Sequence, residues 1–195
     1  MALNSGIMDF KDRPLAITDL EMTGLDPSVH EIIEIGLVVV DQKACRVLDT
    51  LDVKVKPEHP ETVEKAAIAV NGYNADDWKD AVALKDAMEF YSAKTKDAIF
   101  CAHNVTFDWV FMSEAFKRTG VKNQMDYHKI DLLSLAWAKL KDSELRTLRL
   151  NGIAKFLGIA EEPNPHRAIN GAMTAYEVYK QLFAAEADEP IAFEM

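Results

Sequence analysis

Between Leu15 and Pro57 the apolar positions fall into three strand-like blocks. Leu15 to Met22 (LAITDLEM) opens on an apolar triplet, Glu31 to Asp41 (EIIEIGLVVVD) is almost continuously apolar, and Arg46 to Pro57 (RVLDTLDVKVKP) alternates through Leu51, Val53 and Val55. Alternation and short apolar runs mark strands, so three such blocks in succession predict an antiparallel meander. The period then changes. Glu61 to Tyr73 and Ala81 to Thr95 carry helical spacing, Ala98 to His103 (AIFCAH) is a short run of buried-strand type, and helical spacing returns over 105–120, 130–141 and 148–158. A last helix follows the stretch PHRAINGAMTAY, with Ile169, Ala172, Met173, Tyr176 and Phe183 on one face. Gly72 and Gly120 read as helix C-caps and Asn104 as an N-cap. Strands first and alternating elements later predict an α/β fold, a mixed sheet flanked by α-helices. No repeat or linker divides the chain, so residues 1–195 are expected to form a single domain with a core of about 14–184, its ends (1–13 and 186–195) frayed.

Composition sharpens this picture in three ways. At 195 residues and 49% hydrophobic content the chain can bury one sizeable core. No apolar run approaches the roughly 20 residues a bilayer span needs, and the opening stretch is acidic rather than basic and then greasy, so no membrane association and a cytoplasmic location are expected. Cys45 and Cys101 stand alone, which predicts two reduced, buried thiols rather than a disulfide framework or a zinc site. The formal net charge of -10 argues against a generic binder of nucleic acid. It is unevenly spread: residues 1–114 carry -10, 115–167 carry +4 and 168–195 carry -4. The basic stretch, with Lys117, Arg118, Lys122, Lys139, Lys141, Arg146, Arg149, Lys155 and Arg167, has the make-up of either a phosphate-tracking rim or a solvated face of ordinary helices.

Three constellations carry candidate chemistry. In TDLEMTGLDP, Asp19 and Glu21 lie two apart on a strand and so share a face, roughly 6–7 Å from one another. Paired carboxylates suit Mg²⁺ or Mn²⁺, and the buried LAI ahead of them makes a purely solvated strand face a poorer explanation. In AHNVTFDWVF, Asp108 falls in the first turns of a helix, from where its carboxylate can look back across a strand end. His166, at a loop-to-helix junction, has a side chain whose ordinary pKa suits general-base work.

Taken in order, DLEMTGLDP, HNVTFD and HRAINGA resemble the three motifs of the DEDDh family of 3′-to-5′ exonucleases, which includes proofreading subunits of replicative polymerases, RNase T and oligoribonuclease. The resemblance runs from Leu15 to about Phe183. It implies a ribonuclease-H-like fold with a five-stranded mixed sheet, and a two-metal site for Mg²⁺ or Mn²⁺ on Asp19, Glu21 and Asp108, with His166 as catalytic base. It also implies contacts to the terminal nucleotide from the backbone around Met22, Thr23, Gly24 and Leu25 and from Asn104, with Leu25 and Phe107 offering apolar or stacking surface and AVNGYN (Ala69 to Asn74) nearby. The implied substrate is a DNA or RNA strand with a 3′ end, shortened by nucleoside 5′-monophosphates; the implied protein partner is a second copy or a polymerase.

The chain departs from the family at one place. Five residues after the histidine the family carries a fourth acid, and here that position is Gly171. Glycine offers no ligand and weakens a helix by about 1 kcal/mol, so it brings no structural benefit of its own. Asn170 is turned by about 100° and Glu177 is nearly two turns on. The retained acids and histidine favour an exonuclease impaired at one position. The alternatives are a protein of the same fold that binds 3′ ends without cutting them, and a site that recruits another acid or a water.

Overall fold

The computed structural model describes residues 8–161 and 163–183. Of the ends expected to fray, 1–7 and 186–195 lie outside the described residues. Residues 8–13 are ordered: Phe10–Asp12 forms a 3-10 turn, and the Gln42 amide donates to the carbonyls of Phe10 (2.8 Å) and Arg13 (2.7 Å).

The meander is present as β1 (Leu15–Met22), β2 (Ile32–Asp41) and β3 (Arg46–Lys54), each antiparallel to the next. β4 (Ile99–Ala102) and β5 (Lys129–Asp131) extend the sheet in parallel, in the order β3-β2-β1-β4-β5. The fold is thus α/β with a five-stranded mixed sheet. Spacing alone assigned Ile130 and Asp131 to a helix; β5 is three residues long, too short to show a period of its own.

Alternate residues of β1 serve opposite faces. Ala16 and Leu20 pack with α2 (Leu84–Lys94) and α3 (Val105–Thr119) on one side. Leu15 and Ile17 pack with α4 (Leu132–Leu140), α5 (Leu150–Phe156) and α6 (Ala168–Phe183) on the other. Asp19 and Glu21 continue the α6-facing row. The last helix presents small residues, Ala168, Ala172 and Ala175, to the sheet, whereas Met173 is 37% exposed and leaves the face assigned to it. Small residues matter because β2 comes very close: a Cβ on Gly36 would fall onto the backbone of Ala168 and Ile169.

The helix expected over 61–73 is shorter. Pro60–Thr62 is a 3-10 turn, and α1 (Lys65–Asn71) buries only Asn71. Gly72 and Gly120 are left-handed C-caps as expected. Both cysteines are free and buried. Among the described residues no helix is long and apolar enough to cross a membrane.

Candidate active site

The register of β1 against β2 builds a polar patch at the end of an otherwise apolar face. Leu15 pairs with Val40 and Ile17 with Val38; the next two pairs are Asp19 with Gly36 and Glu21 with Glu34. Opposed residues of an antiparallel pair stand with their Cβ atoms about 5 Å apart, so Glu21 and Glu34, both buried, would repel without further partners. Glu34 has them. Its Oε2 accepts from the Ala168 N–H at 3.1 Å, in the first turn of α6, and its Oε1 lies 3.4 Å from the Arg167 guanidinium. Burial nevertheless dominates and raises the Glu34 pKa above the ordinary carboxylate range. Sequence reasoning missed Glu34, because a lone acid in an apolar strand gives no sign that a helix end will cover it.

The same contacts fix His166. Its backbone N–H donates to Val70 O at 3.1 Å, and Arg167 donates to Asn71 O at 2.7 Å while lying over the Trp78 ring at 5.4 Å. Asn71 in turn donates to Met22 O at 3.0 Å. The C-terminus of α1 therefore ties the end of β1 to the histidine loop. AVNGYN is both a C-capped helix end and a clamp on the site.

Asp19, Glu21, His166 and Gly171 line one open cleft of about 500 Å³, together with His103, Thr147 and Arg149. Four separated stretches of sequence meet there. Asp108 does not line the cleft; it is 5% exposed, at the point where α3 approaches the backbone of Leu20, a residue that does line it. Burial pushes its pKa up to about 7, against the pull of the N–H groups of Asp108 itself and Leu20. Next to the cleft, and sharing Glu21 with it, is a recess of about 240 Å³ walled by Met22, Gly24, Leu25, Ala66, Ala67 and Val70. Leu25 is 70% exposed at its mouth.

Not every expected contact faces these hollows. Thr23 is fully buried, and its hydroxyl accepts from the Glu31 N–H at 2.9 Å, so its side chain is committed to the fold. Phe107 packs edge-on against Phe111, and Asn104 is exposed with a left-handed φ of 63°; neither lines the cleft or the recess. The Asn104 side chain makes no capping bond either. Asp131 caps instead, accepting from Val105 N at 3.0 Å and Ser134 N at 3.1 Å. The basic stretch is dispersed: Arg118 pairs with Glu58 and Glu31 and Lys155 with Glu161, away from the cleft, whereas Arg149 lines it.

The donors fit Mg²⁺ or Mn²⁺ in kind, being hard carboxylate oxygens, and Asp108 is a buried acid for which a cation would relieve the cost of ionisation. They are not drawn together: among the described residues no three His, Cys, Asp or Glu side chains converge tightly enough to hold a metal ion. Asp19 instead turns into the space beside Gly171, where a Cβ would lie 2.7 Å from its Cγ.

Comparison with known proteins agrees with this architecture. The chain is 29% identical over 171 residues to the PolC-type DNA polymerase III of Thermotoga maritima and 30% identical over 195 residues to that of Pediococcus pentosaceus. These alignments cover 87% and 98% of this chain but 12% and 13% of the relatives, so the chain spans about an eighth of their length. Escherichia coli exonuclease I in complex with a dT13 oligonucleotide superposes with a TM-score of 0.73 at 16% identity, covering 89% of this chain and 42% of that one. The nuclease domain of 3′hExo, a DEDDh family member bound to rAMP, superposes at 0.72 with 18% identity, over 96% of this chain and all of that one. Both share the ribonuclease-H-like fold. The RNase T exonuclease family matches residues 16–179, and the chain belongs to that family.

Proposed function

We propose that this chain is a metal-dependent 3′-to-5′ exonuclease for single-stranded DNA or RNA ends, with turnover lowered by Gly171. What carries the reading is the meeting of Asp19, Glu21 and His166 in one cleft beside an apolar recess, with Asp108 buried against the backbone of Leu20 between the two strand acids. The recess takes the terminal nucleotide, with Met22 and Leu25 against its base and the backbone of Gly24 close by. Asp19, Glu21 and Asp108 would hold the metal, drawn together by the cation itself. When bound, a pair of Mg²⁺ or Mn²⁺ ions neutralises the scissile phosphate and acidifies a water. His166 accepts the proton of the attacking water through a ring nitrogen, its loop being fixed by Val70 and Asn71. The water oxygen bonds to phosphorus, the bond to the upstream 3′ oxygen breaks, and a nucleoside 5′-monophosphate leaves.

The relatives are named as polymerases, and a polymerase partner in trans is the corresponding assembly for this chain; a homodimer is the other. Gly171 favours a second reading, in which the protein holds 3′ ends and does not cut. One experiment separates them: 3′-labelled single strands are incubated with the chain and with its Gly171→Asp variant in Mg²⁺ or Mn²⁺. Mononucleotide release by the variant at about 10²-fold or more above the parent supports the exonuclease. A variant that binds metal and strand yet releases nothing overturns it.

A further inference from the structure

We infer that the strand upstream of the 3′ end runs from the carboxylate cleft over Arg149 to a second depression, where Trp137 stacks a base and Arg146 and Lys141 take phosphates. The inference rests on the exonuclease reading and adds a direction and a binding track to it.

Three hollows adjoin through shared residues. The apolar recess shares Glu21 with the cleft, and the cleft shares Thr147 with a depression of about 230 Å³ whose walls include Trp137, Lys141, Arg146 and Leu148. The recess suits a terminal base and has no cationic lining; Arg149 lines the cleft, two residues from the Thr147 that the cleft shares with the depression. That asymmetry sets the polarity, with the 3′ nucleotide in the recess and the phosphates behind it on the basic side. In a chain of net charge -10, cations lining two adjoining hollows favour a polyanion.

Trp137 supplies the aromatic part. It is 53% exposed, whereas Trp78 is 2% exposed and Trp109 stacks edge-on with Phe100 at 5.0 Å. Lys141 Nζ lies 5.8 Å from its ring centre, so a cation stands beside the indole face. An exposed indole between cations is the pairing by which proteins hold single strands regardless of sequence. The loop bearing Thr147 is tied to the site: His103, which lines the cleft, bonds Leu148 O through Nε2 at 2.8 Å. Arg146 pairs with Glu144 at 2.8 Å, but both side chains are more than four-fifths exposed, so a phosphate displaces the carboxylate at little cost.

The test compares affinity for a dinucleotide and a ten-nucleotide single strand, as oligothymidylate and as oligouridylate, for the full chain with Ca²⁺ in place of Mg²⁺, by fluorescence anisotropy. Trp137→Ala is expected to weaken the longer strand by roughly 5- to 150-fold, well beyond any change on the dinucleotide, with Trp137→Phe recovering part of the loss. Arg149→Gln is expected to reduce the salt dependence of the longer strand. Indole fluorescence of the parent should be quenched by the longer strand and by the dinucleotide hardly at all. If the variants keep the parent's melting temperature and lose both lengths equally, or neither, the track is wrong while the exonuclease reading stands. If neither length binds to the parent or to Gly171→Asp, the exonuclease reading itself fails.

Discussion

Glu34 should hold the start of α6, and with it His166, in place. Replacing it by alanine removes the acceptor of the Ala168 N–H and the carboxylate that lies against Arg167. Leaving a buried donor unpaired costs about 1–3 kcal/mol, and a carboxylate at a partly buried helix N-terminus is itself worth up to about 2 kcal/mol. Against this, Glu34 is 1% exposed and burial raises its pKa, so part of the loss is recovered when the charge goes. A net loss of about 1–3 kcal/mol follows for Glu34→Ala, or roughly 2–12 °C in melting temperature for a chain of this size. Glu34→Gln keeps an oxygen for Ala168 and sheds the charge, and should stay within about 1 kcal/mol of the parent. The pH dependence has a definite sign. Because the folded pKa is raised, the ionised carboxylate is disfavoured in the fold, and the parent loses stability as pH climbs from the ordinary glutamate value through the raised one. Glu34→Gln lacks that component and should gain on the parent as pH rises. In a Gly171→Asp background, Glu34→Ala should lower kcat by about 10- to 10²-fold through a displaced His166, with little change in KM. Calorimetry and single-strand digestion measure both. An alanine variant that melts with the parent, or a glutamine variant as weak as the alanine one, would refute the role.

Two further outcomes follow from the same patch. Gly36→Ala forces a Cβ against helix backbone and should cost about 1–3 kcal/mol in urea denaturation, with no compensating rotamer available. In chelator, Asp108 should make the protein less stable as pH rises from about 4 to 7, since burial pushes its pKa up to about 7 and its ionised form is the one the fold disfavours. The effect is on the order of a few kcal/mol at about 1.4 per unit. Asp108→Asn should flatten that slope, and an unchanged slope would place the titration elsewhere.

The sequence was most legible where one physical signal dominated. Short apolar runs and one alternating stretch revealed the meander, and the three motifs marked Asp19, Glu21, Asp108 and His166, of which Asp19, Glu21 and His166 line one cleft and Asp108 is buried where α3 approaches the Leu20 backbone. What could not be read was whatever depends on how one element lands on another. Thr23 stands in a motif, but nothing in the motif shows that its hydroxyl closes the turn onto Glu31. Asn104 has the residue type of an N-cap, yet the cap comes from Asp131, which is distant in sequence and adjacent only once β4 and β5 have paired. Glu34 and Gly36 pair with Glu21 and Asp19 across the sheet and carry no local signal, since their partner is the first turn of a helix more than a hundred residues on.

Two glycines face α6 or belong to it, and the fold treats them in opposite ways. At Gly36 the obstacle to a side chain is backbone, Ala168 and Ile169, so the helix could not approach the sheet without glycine. At Gly171 the obstacle is the carboxylate of Asp19, with Cγ at 2.7 Å and Oδ1 at 3.2 Å from a Cβ, and that group can swing away about its own side-chain bonds. The fold therefore has no need of glycine at 171. An aspartate there acts twice, by adding an oxygen donor and by expelling Asp19 from the space it fills. Two carboxylates about 4 Å apart repel by about 4 kcal/mol at an effective dielectric of 20, so without metal Gly171→Asp should be less stable than the parent despite its better helix propensity. Mg²⁺ or Mn²⁺ should reverse the order, because a cation between the two carboxylates turns the repulsion into attraction. Melting curves of both proteins with and without metal read this directly. If the variant is no less stable than the parent in chelator and gains no more from metal, position 171 does not face a metal site.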